Sequence, residues 1–522
     1  MRKDIFKPQL LLFVTLCIIS TIFSSCSTEE ITEGINNKNG NGEDDVNHTE
    51  FVSGAPTSRT SMDINGNFFW EKGDKIYVVD DDNVGQLSSN SPTERTPYFK
   101  FKVPGRFTKD TYRVIYIKYG YTTEFDWQQN QRFPNSFEHI GFDGDQAFGY
   151  AKRKAGKDYF EFKLKHTPSF LVFLPYSHDE FIKSTFLSSI TVFADKPISG
   201  RFPYDFENEK FKDNGYDERK YINLLTNKDA SYSNENMFPM NTSTPNANVN
   251  GACMVIKPGT YQLKIVYELR DEKLSRGGSF TKYINSHTFK PNEYVYIKSE
   301  LSAIHHDIGH FYYMWDAKKN FWDGHEWDSA DPWQPLNWTW NTSDKVPTND
   351  SDPRYANVKS WGPETPLFKS LPNANELSWY VMKGDPHYDA EQVVIADNKR
   401  YFQGGIWFLK KAYIEGFSKD HGYDNSVYYR NDKTCSNIPT KGAPAADQIH
   451  KYFFLPFFND YGSNGRFTDS NEEGYYWSST PVYEHSQSNY LLLRPDIVEL
   501  SRGYRTNCVY IAKPFSAFGE DN

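Results

Sequence analysis

Between residues 51 and 301 the chain is a succession of short apolar or alternating runs separated by turn residues. Representative runs cover residues 75–79, 112–117, 170–174, 190–193 and 261–267. They are rich in aromatic and β-branched residues, and Gly, Asp, Asn and Pro fill the intervals, which is the pattern of antiparallel strands. About 250 residues of this kind suit two β-sandwich domains. We therefore predict one sandwich over residues 51–165 and a second over residues 166–300.

The tryptophans indicate another kind of domain after residue 300. Of the 12 tryptophans only Trp70 and Trp127 precede that point, and several crowd the stretch 315–340. Asp, Asn, Gly and Pro lie between them, as expected of a loop-rich fold in which large rings bury one another. We assign residues 301–522 to this domain. The fold class predicted for the whole chain is mainly β.

The N-terminal residues have the pattern of an export signal. Arg2, Lys3 and Lys7 precede an almost unbroken apolar run over residues 10–23, which is too short to span a membrane comfortably. The run ends in Ser24-Ser25-Cys26, which resembles a bacterial lipobox. This resemblance implies a signal peptide over residues 1–25 and acylation of Cys26, so that membrane lipid is the first expected partner.

Residues 26–50 are polar, acidic and rich in Gly and Asn, so we predict a flexible tether there. The acidic residues directly after Cys26 resemble the short tag that sends Bacteroidetes lipoproteins to the outer face of the outer membrane. The expected location is therefore the cell outer membrane, lipid-anchored and exposed at the surface, or a fimbrium.

Charge and motifs argue against several classes of function. The formal net charge of −10 does not suit a nucleic-acid partner. We find no nucleophile elbow, phosphate loop or close cysteine pair, so we predict no catalytic residue, no cofactor, no metal site and no enzyme. His305, His306, Asp307 and His310 are the most metal-like group, but Gly309 disfavours a ligating helix there. We interpret this segment as a joint between domains.

Six motifs, in order along the chain, resemble those of the Bacteroidetes fimbrillin-like proteins. They are 59–62 (RTSM), 69–76 (FWEKGDKI), 187–192 (LSSITV), 198–202 (ISGRF), 257–261 (KPGTY) and 289–294 (FKPNEY). The resemblance implies two tandem transthyretin-like β-sandwiches of a pilus or surface subunit. From the residues themselves, we expect Trp70 in a core and Gly73-Asp74 in a turn.

A second resemblance covers roughly residues 340–515. The segments 371–377, 404–408, 453–456, 474–480 and 502–509 are similar to the Fibrobacter major paralogous domain. This implies an α+β C-type-lectin-like fold, with Trp407 and Trp477 in its core. The cysteine that this family usually carries before its Leu-Pro segment is missing at Ser370-Leu371-Pro372. Since Cys435 and Cys508 share the C-terminal part of an exported chain, we predict a disulfide between them.

Ligand binding is predicted for the Trp-rich stretch. Trp327, Trp333, Trp338 and Trp340 lie near Asp and Asn, so they could stack on sugar rings while the polar groups bind hydroxyls. The alternative is that they form the core of the domain. The calcium-binding loop of C-type lectins is missing, because Gln334-Pro335-Leu336 has no carboxylate at its third place.

The two resemblances together imply a fimbrial tip or stand-alone adhesin. Its expected partners are other fimbrial subunits and a host or microbial glycan or protein. The alternative is a carbohydrate-binding lipoprotein of a glycan-uptake system.

Assembly of fimbrillin-like proteins implies a role for one arginine. Relatives polymerise when a protease cuts after an N-terminal arginine and a neighbour's C-terminal strand replaces the strand that is lost. Arg59 lies where such a cut would fall. The residues before it predict a poor strand, since Phe51-Val52 is the main apolar pair near the cut. The C-terminus belongs to the lectin-like domain and offers no evident donor strand, so we predict a tip or a stand-alone adhesin.

Overall fold

The protein is mainly β and is built from several sheets, which confirms the predicted fold class. The computed structural model describes residues 48–53, 61–62, 68–116, 124–132, 146–212, 214–226, 238–270, 277–336, 345–426, 433–468, 472–482 and 486–521. Cys26, Arg59, Trp338 and Trp340 lie outside these residues. Among the described helices, none has both the length and the apolar character needed to cross a membrane.

The described residues up to position 166 form twelve strands. They are β1 (His48–Ser53), β2 (Ser61–Met62), β3 (Phe68–Phe69), β4 (Tyr77–Val79), β5 (Gly85–Leu87), β6 (Lys100–Pro104), β7 (Thr111–Tyr116), β8 (Glu124–Trp127), β9 (Asn130–Arg132), β10 (Ala147–Arg153), β11 (Tyr159–Phe162) and β12 (Leu164–His166). Seven of them follow the order β5-β4-β7-β10-β11-β1-β6 in one sheet, and β12 pairs with β10. This sheet curls until its ends meet, because Ser89 N, just beyond β5, donates to the Lys102 carbonyl of β6 at 2.8 Å.

The curled sheet encloses an aromatic core. Trp70 is fully buried, as predicted, and its ring meets those of Phe101 and Tyr116 edge to face. The turn that follows places Gly73 at φ +86°, a conformation that glycine adopts without steric cost. Asp74 closes this turn by accepting a hydrogen bond from Glu71 N at 2.6 Å. Local turn chemistry therefore positions Trp70 in the core.

The next part of the chain forms a sandwich of two sheets. Its elements are β13 (Ser169–Tyr176), α1 (Glu180–Lys183), β14 (Phe186–Ala194), β15 (Ser199–Asp205), β16 (Lys210–Phe211), β17 (Tyr216–Arg219), β18 (Tyr221–Leu225), β19 (Phe238–Pro239), α2 (Ala247–Asn250), β20 (Ala252–Ile256), β21 (Gly259–Arg270), β22 (Ser279–Phe289) and β23 (Tyr294–Glu300). The sheet β20-β13-β23 and the sheet β22-β21-β14-β18-β9 share one apolar core. A second cluster covers the other side of β13, which explains its unbroken apolar sequence.

One segment crosses from the first half of the chain to the second. Residues 124–132 lie between β7 and β10 in sequence, yet β8 pairs with β15 and β9 pairs with β18. The two halves are therefore interleaved through this segment. The division into one sandwich over residues 51–165 and a second over residues 166–300 remains a prediction. It did not anticipate that residues 124–132 pair with strands of the second half.

The C-terminal part contains two further sheets and two described helices. Its elements are β24 (Ile304–His306), β25 (Tyr312–Tyr313), α3 (Pro366–Lys369), α4 (Ala374–Lys383), β26 (His387–Ala396), β27 (Arg400–Leu409), β28 (Cys435–Asn437), β29 (Thr440–Lys441), β30 (Tyr452–Pro456), β31 (Asp460–Gly462), β32 (Phe467–Thr468), β33 (Gly474–Pro481), β34 (Gln487–Leu493), β35 (Val498–Tyr504) and β36 (Cys508–Ile511). Four 3₁₀ turns cover Gly309–Phe311, Lys411–Tyr413, Ile449–Lys451 and Phe515–Phe518.

These elements bury a core that is dominated by aromatic rings. One sheet has the order β24-β26-β27-β30, with β29 also paired to β26. The other has the order β28-β35-β34-β33-β36-β31-β32, with β25 paired to β36. Helix α4 begins with a capping box, in which Asn373 and Glu376 satisfy each other's backbone N–H groups. The resemblance to a lectin-like domain stays a prediction.

The histidine-rich segment is the joint between the second sandwich and the C-terminal part. Strand β24 pairs with β26, while His305 Nε2 lies 2.5 Å from Asp179 Oδ2 at the start of α1. This agrees with the predicted joint. His306 packs against the rings of Phe458 and Phe518.

Burial, together with the charges of Lys513 and His305, lowers the pKa of His306 from 6.5 to about 4. The unfolded chain therefore takes up a proton near pH 6.5 that the folded protein resists until about pH 4. The neutral ring contributes stability above pH 6.5, and this contribution is lost as the pH falls through that window.

We expect His306→Phe to reduce this acid sensitivity. At pH 4.5 the proton-linked penalty amounts to about 2 kcal/mol, whereas at pH 7.5 it is negligible. Urea unfolding of the variant and the parent should show stability curves that diverge as the pH falls, with the variant the less affected. The matched control is exposed His450→Phe. If the two variants followed the same pH profile, the conclusion that His306 is buried in its neutral form would be contradicted.

Candidate functional site

The first described strand, β1, is an interior strand of the curled sheet. It pairs antiparallel with β6, from His48 opposite Pro104 to Val52 opposite Lys100. On its other side it pairs in parallel with β11 over Glu50–Ser53. The flexible tether was predicted over residues 26–50. Its predicted C-terminal boundary is wrong, because residues 48–50 belong to a strand. The expectation of a poor strand before Arg59 does not hold for residues 48–53, and the rest of that stretch lies outside the described residues.

Phe51 explains why this strand is held firmly. Its side chain is fully buried, its ring stacks on Phe160 at 5.0 Å between centroids, and Phe107 meets it edge to face at 5.0 Å. Ser53 closes the strand, since its N–H donates to the Phe99 carbonyl and its hydroxyl oxygen accepts from Phe99 N. A sequence with one apolar pair thus forms a strand because β6 and β11 supply backbone partners, while Phe160 of β11 and Phe107 beyond β6 supply ring partners.

The position of β1 defines a slot in the fold. Without β1, the facing edges of β6 and β11 would lie two strand spacings apart, roughly 10 Å, with unpaired backbone groups on both. The rings that contact Phe51 would be open to solvent. Arg59 follows β1 in the sequence, so a cut after it would leave β1 held by non-covalent contacts alone. Arg59 itself lies outside the described residues.

The C-terminal strand is also an interior strand. β36 pairs with β31 at Tyr461–Val509, with β25 at Tyr312–Ile511 and with β33 at Tyr476–Ile511. The 3₁₀ turn Phe515–Phe518 then returns two rings to the aromatic core.

Glu520, which follows the 3₁₀ turn Phe515–Phe518, holds the last described residues in place through hydrogen bonds. The Glu520 carboxylate is only 5% exposed. It accepts hydrogen bonds from the Tyr380 hydroxyl at 2.9 Å, from Lys411 N at 3.0 Å and from Lys411 Nζ at 2.8 Å. The segment from Cys508 to Glu520 is therefore committed to its own domain.

The tryptophans predicted to bind a ligand have different surroundings. Trp327 is 5% exposed within the aromatic core, and its Nε1 donates to the Pro335 carbonyl. The predicted ligand role of Trp327 is wrong, because a buried ring offers no stacking face. Trp338 and Trp340 lie outside the described residues.

Trp333 is partly buried and already has ring partners. The His325 ring stacks parallel to it, Lys345 Nζ lies over it at 4.8 Å, and its Nε1 donates to Asp331 Oδ2 at 2.9 Å. A sugar could stack on Trp333 only by displacing one of these groups. Trp407 and Trp477 were predicted to lie in the core of the domain. Trp477 is buried, and Trp407 packs against the core.

The predicted disulfide between Cys435 and Cys508 is wrong, since both thiols are free. Cys435 is opposite Leu500 and packs against the large aromatic core. Cys508 instead packs against a separate small cluster that contains Trp477. Burial raises the pKa of both thiols, that of Cys435 to about 12. The two side chains are directed into different cores and do not meet.

No group of three or more His, Cys, Asp or Glu side chains within the described residues is arranged to hold a metal ion. Beside the joint, the Asp397 carboxylate accepts hydrogen bonds from the N–H groups of Ile308 and Gly309. Burial raises the pKa of Asp397. Asp397 therefore stabilises the backbone of the joint and does not form part of a metal site among the described residues.

Comparison with known proteins finds distant likenesses among solved structures. No family model and no curated protein matches the sequence. A solved structure called a "putative cell adhesion protein", from Bacteroides ovatus, has 10% identity and a TM-score of 0.30, over 48% of this chain and 92% of that one. A fimbrial protein from Bacteroides ovatus has 10% identity and a TM-score of 0.26, over 88% of this chain and 98% of that one. A fimbrial assembly protein from Parabacteroides distasonis has 9% identity and a TM-score of 0.25, over 49% of this chain and 91% of that one.

These identities and TM-scores are too low to place the chain in a family.

We expect Phe51→Ala to destabilise the curled sheet by about 3–5 kcal/mol, because it removes a fully buried ring from between two others. Differential scanning calorimetry should show the transition of this sheet at a lower temperature. The control is Phe193→Ala, whose ring is 42% exposed and should cost far less. Equal shifts for the two variants would mean that β1 does not anchor the core.

Proposed function

We propose that the chain is a lipid-anchored surface adhesin whose N-terminal half can accept a β-strand from another subunit. The observation that carries the proposal is the place of β1, which fills the slot between β6 and β11 and precedes Arg59 in the sequence. Strand exchange needs such an arrangement, because the outgoing and incoming strands must make the same backbone hydrogen bonds. The motifs that resemble fimbrillin-like proteins support the same role.

The C-terminal half limits this role to accepting a strand. A donor must release its own C-terminal strand, but β36 has paired neighbours on both sides, and Phe515, Phe518 and Glu520 after it are buried. A subunit that accepts and does not donate occupies the end of a filament or acts alone. We therefore favour a tip or stand-alone adhesin, with the C-terminal domain carrying the ligand-binding function.

The assembly proposal is tested by removing β1 from the purified chain. Digestion by an arginine-specific protease should cut after Arg59, and mild denaturant should then release the β1 fragment. We expect the emptied protein to bind one synthetic peptide of residues 47–54 and to remain monomeric by light scattering, because β36 is not free to fill a second copy. Arg59→Ala should resist this cut.

Two controls test the specificity of peptide binding and the terminal role. A peptide that carries Phe51→Asp should not bind, since the slot would have to bury a carboxylate among aromatic rings. Regular ladders of multimers from the emptied protein would contradict the terminal role and indicate a repeating pilin. A protein that binds neither peptide would contradict strand acceptance altogether.

The membrane anchor is a separate prediction. We expect Cys26→Ala to leave an unacylated precursor or a freely soluble product, because the thiol that takes the lipid is lost. Fractionation of cells that express the parent and the variant measures this directly. A variant that sediments with membranes as fully as the parent would place the anchor elsewhere.

A further inference from the structure

A cleft lies between the edge of the second sandwich and β26 of the C-terminal part, beside the place where Val393 and Tyr401 join the sandwich core. Its main lobe has a volume of about 750 Å³, and an adjoining lobe has about 400 Å³. One wall is the start of β22, which is the edge strand of its sheet, and the other wall is β26. Tyr388 and Ala390 border both lobes. Volumes of this size are typical of small-molecule sites, which often lie between domains.

A wide bulge in β26 shapes the cleft. Asp389 pairs with Gly405 and Val393 pairs with Gln403, so residues 390–392 stand opposite the single Gly404. Gly404 has φ +81°, which a residue with a side chain would adopt only with strain. The extra residues project away from the sheet and into the cleft.

Hydrogen bonds hold this bulge in one conformation. Asp389 Oδ1 accepts from the N–H groups of Glu391 at 2.9 Å and Gln392 at 3.2 Å. Its Oδ2 accepts from Trp407 Nε1 at 3.1 Å. Gln403 Nε2 donates to the Ala390 carbonyl at 3.2 Å. The wall is therefore formed before any ligand arrives, which lowers the entropic cost of binding.

Glu391 joins the two walls. Its Oε1 accepts from the Tyr283 hydroxyl at 2.6 Å and lies 2.8 Å from Lys264 Nζ. This hydrogen bond to Glu391 raises the pKa of Lys264. The contacts fix the width of the cleft between the second sandwich and the bulge.

Aromatic rings border the opening. The Tyr283 side chain is 63% exposed, although its hydroxyl is held by Glu391. The Tyr388 ring packs on Phe457 nearly in parallel, at 5.9 Å between centroids. An exposed ring fixed at its polar end is a stacking platform that a bound molecule can use without ordering it first.

The charges of the lining nearly balance. Lys282 and Lys441 supply two cations, Asp389 and Glu391 supply two carboxylates in the main lobe, and Glu472 supplies a third carboxylate in the adjoining lobe. A strongly anionic or cationic ligand would gain little from this mixture. A ligand whose hydroxyls both donate and accept would match it, because ammonium groups donate and carboxylates accept.

From the exposed ring, the fixed bulge and the balanced charge, we propose that the cleft binds a neutral oligosaccharide. Apolar faces of the sugar rings lie against Tyr283, and their hydroxyls meet the carboxylates and lysines of the two walls. The inference rests on the proposed adhesive function for its biological role. It assigns that function to residues other than the predicted tryptophans.

The test uses the full chain on a glycan array. The array carries neutral oligosaccharides of glucose, galactose, mannose and N-acetylhexosamines, together with sialylated and sulfated forms of the same chains. Affinities for the neutral chains that bind are then measured by calorimetry. Tyr283→Ala should weaken binding about ten-fold, in line with the loss of one stacking contact. Ala390→Trp should abolish binding by filling the junction of the two lobes.

The matched control is Tyr296→Ala, which removes another exposed tyrosine of the second sandwich, 49% exposed on β23. Its affinity should equal that of the parent. No binding to any neutral chain, stronger binding to the acidic forms, or equal affinity in all three variants would overturn the proposal. The titration needs neither the cut after Arg59 nor an empty β1 slot, so its failure is distinguishable from failure of strand acceptance.

Discussion

The pairing of β1 with both β6 and β11 is the interaction on which the N-terminal half depends. It closes the curled sheet and places Phe51 between Phe160 and Phe107, so one strand supplies both backbone hydrogen bonds and the centre of a core. Because β1 lies ahead of Arg59 in the sequence, the same strand that completes the fold is the one that a single cut would detach. The stability of the curled sheet therefore depends on this short segment, and any strand that took the place of β1 would have to fill the position of the Phe51 ring.

The C-terminal half has the opposite property, because its last strand cannot leave without disrupting a larger core. β36 lies between β33 and β31, and Phe515, Phe518 and Glu520, which follow it in the sequence, are buried. This asymmetry is the basis of the proposal that the chain accepts a strand and does not donate one. The cleft between β22 and β26, which we propose as a recognition surface, is lined by no residue of β1, β6 or β11.

Local patterns were enough to predict much of the fold but little of the site. The strand runs, the burial of Trp70 and the turn at Gly73 follow from sequence periodicity and turn chemistry, whereas the burial of Trp477 was implied by the resemblance of its motif to a lectin-like family. The strand character of residues 48–53 could not be predicted, because it comes from partners at residues 100–104 and 159–162. The bulge of β26 was equally hidden, since its sequence reads as a continuous strand and only the register against β27 shows the extra residues. The cysteine prediction failed because shared location in the sequence says nothing about which core a thiol faces.

Hydrogen exchange of the intact and cut protein tests the central claim most directly. In the intact chain the amides of β1, β6 and β11 should be protected, and those of β36 should be protected at least as well. After the cut and removal of β1, protection should be lost along β6 and β11 and should return when the peptide of residues 47–54 is added, while β36 stays unchanged. Rapid exchange of β36 in the intact protein, or full protection of β6 and β11 without β1, would contradict the account.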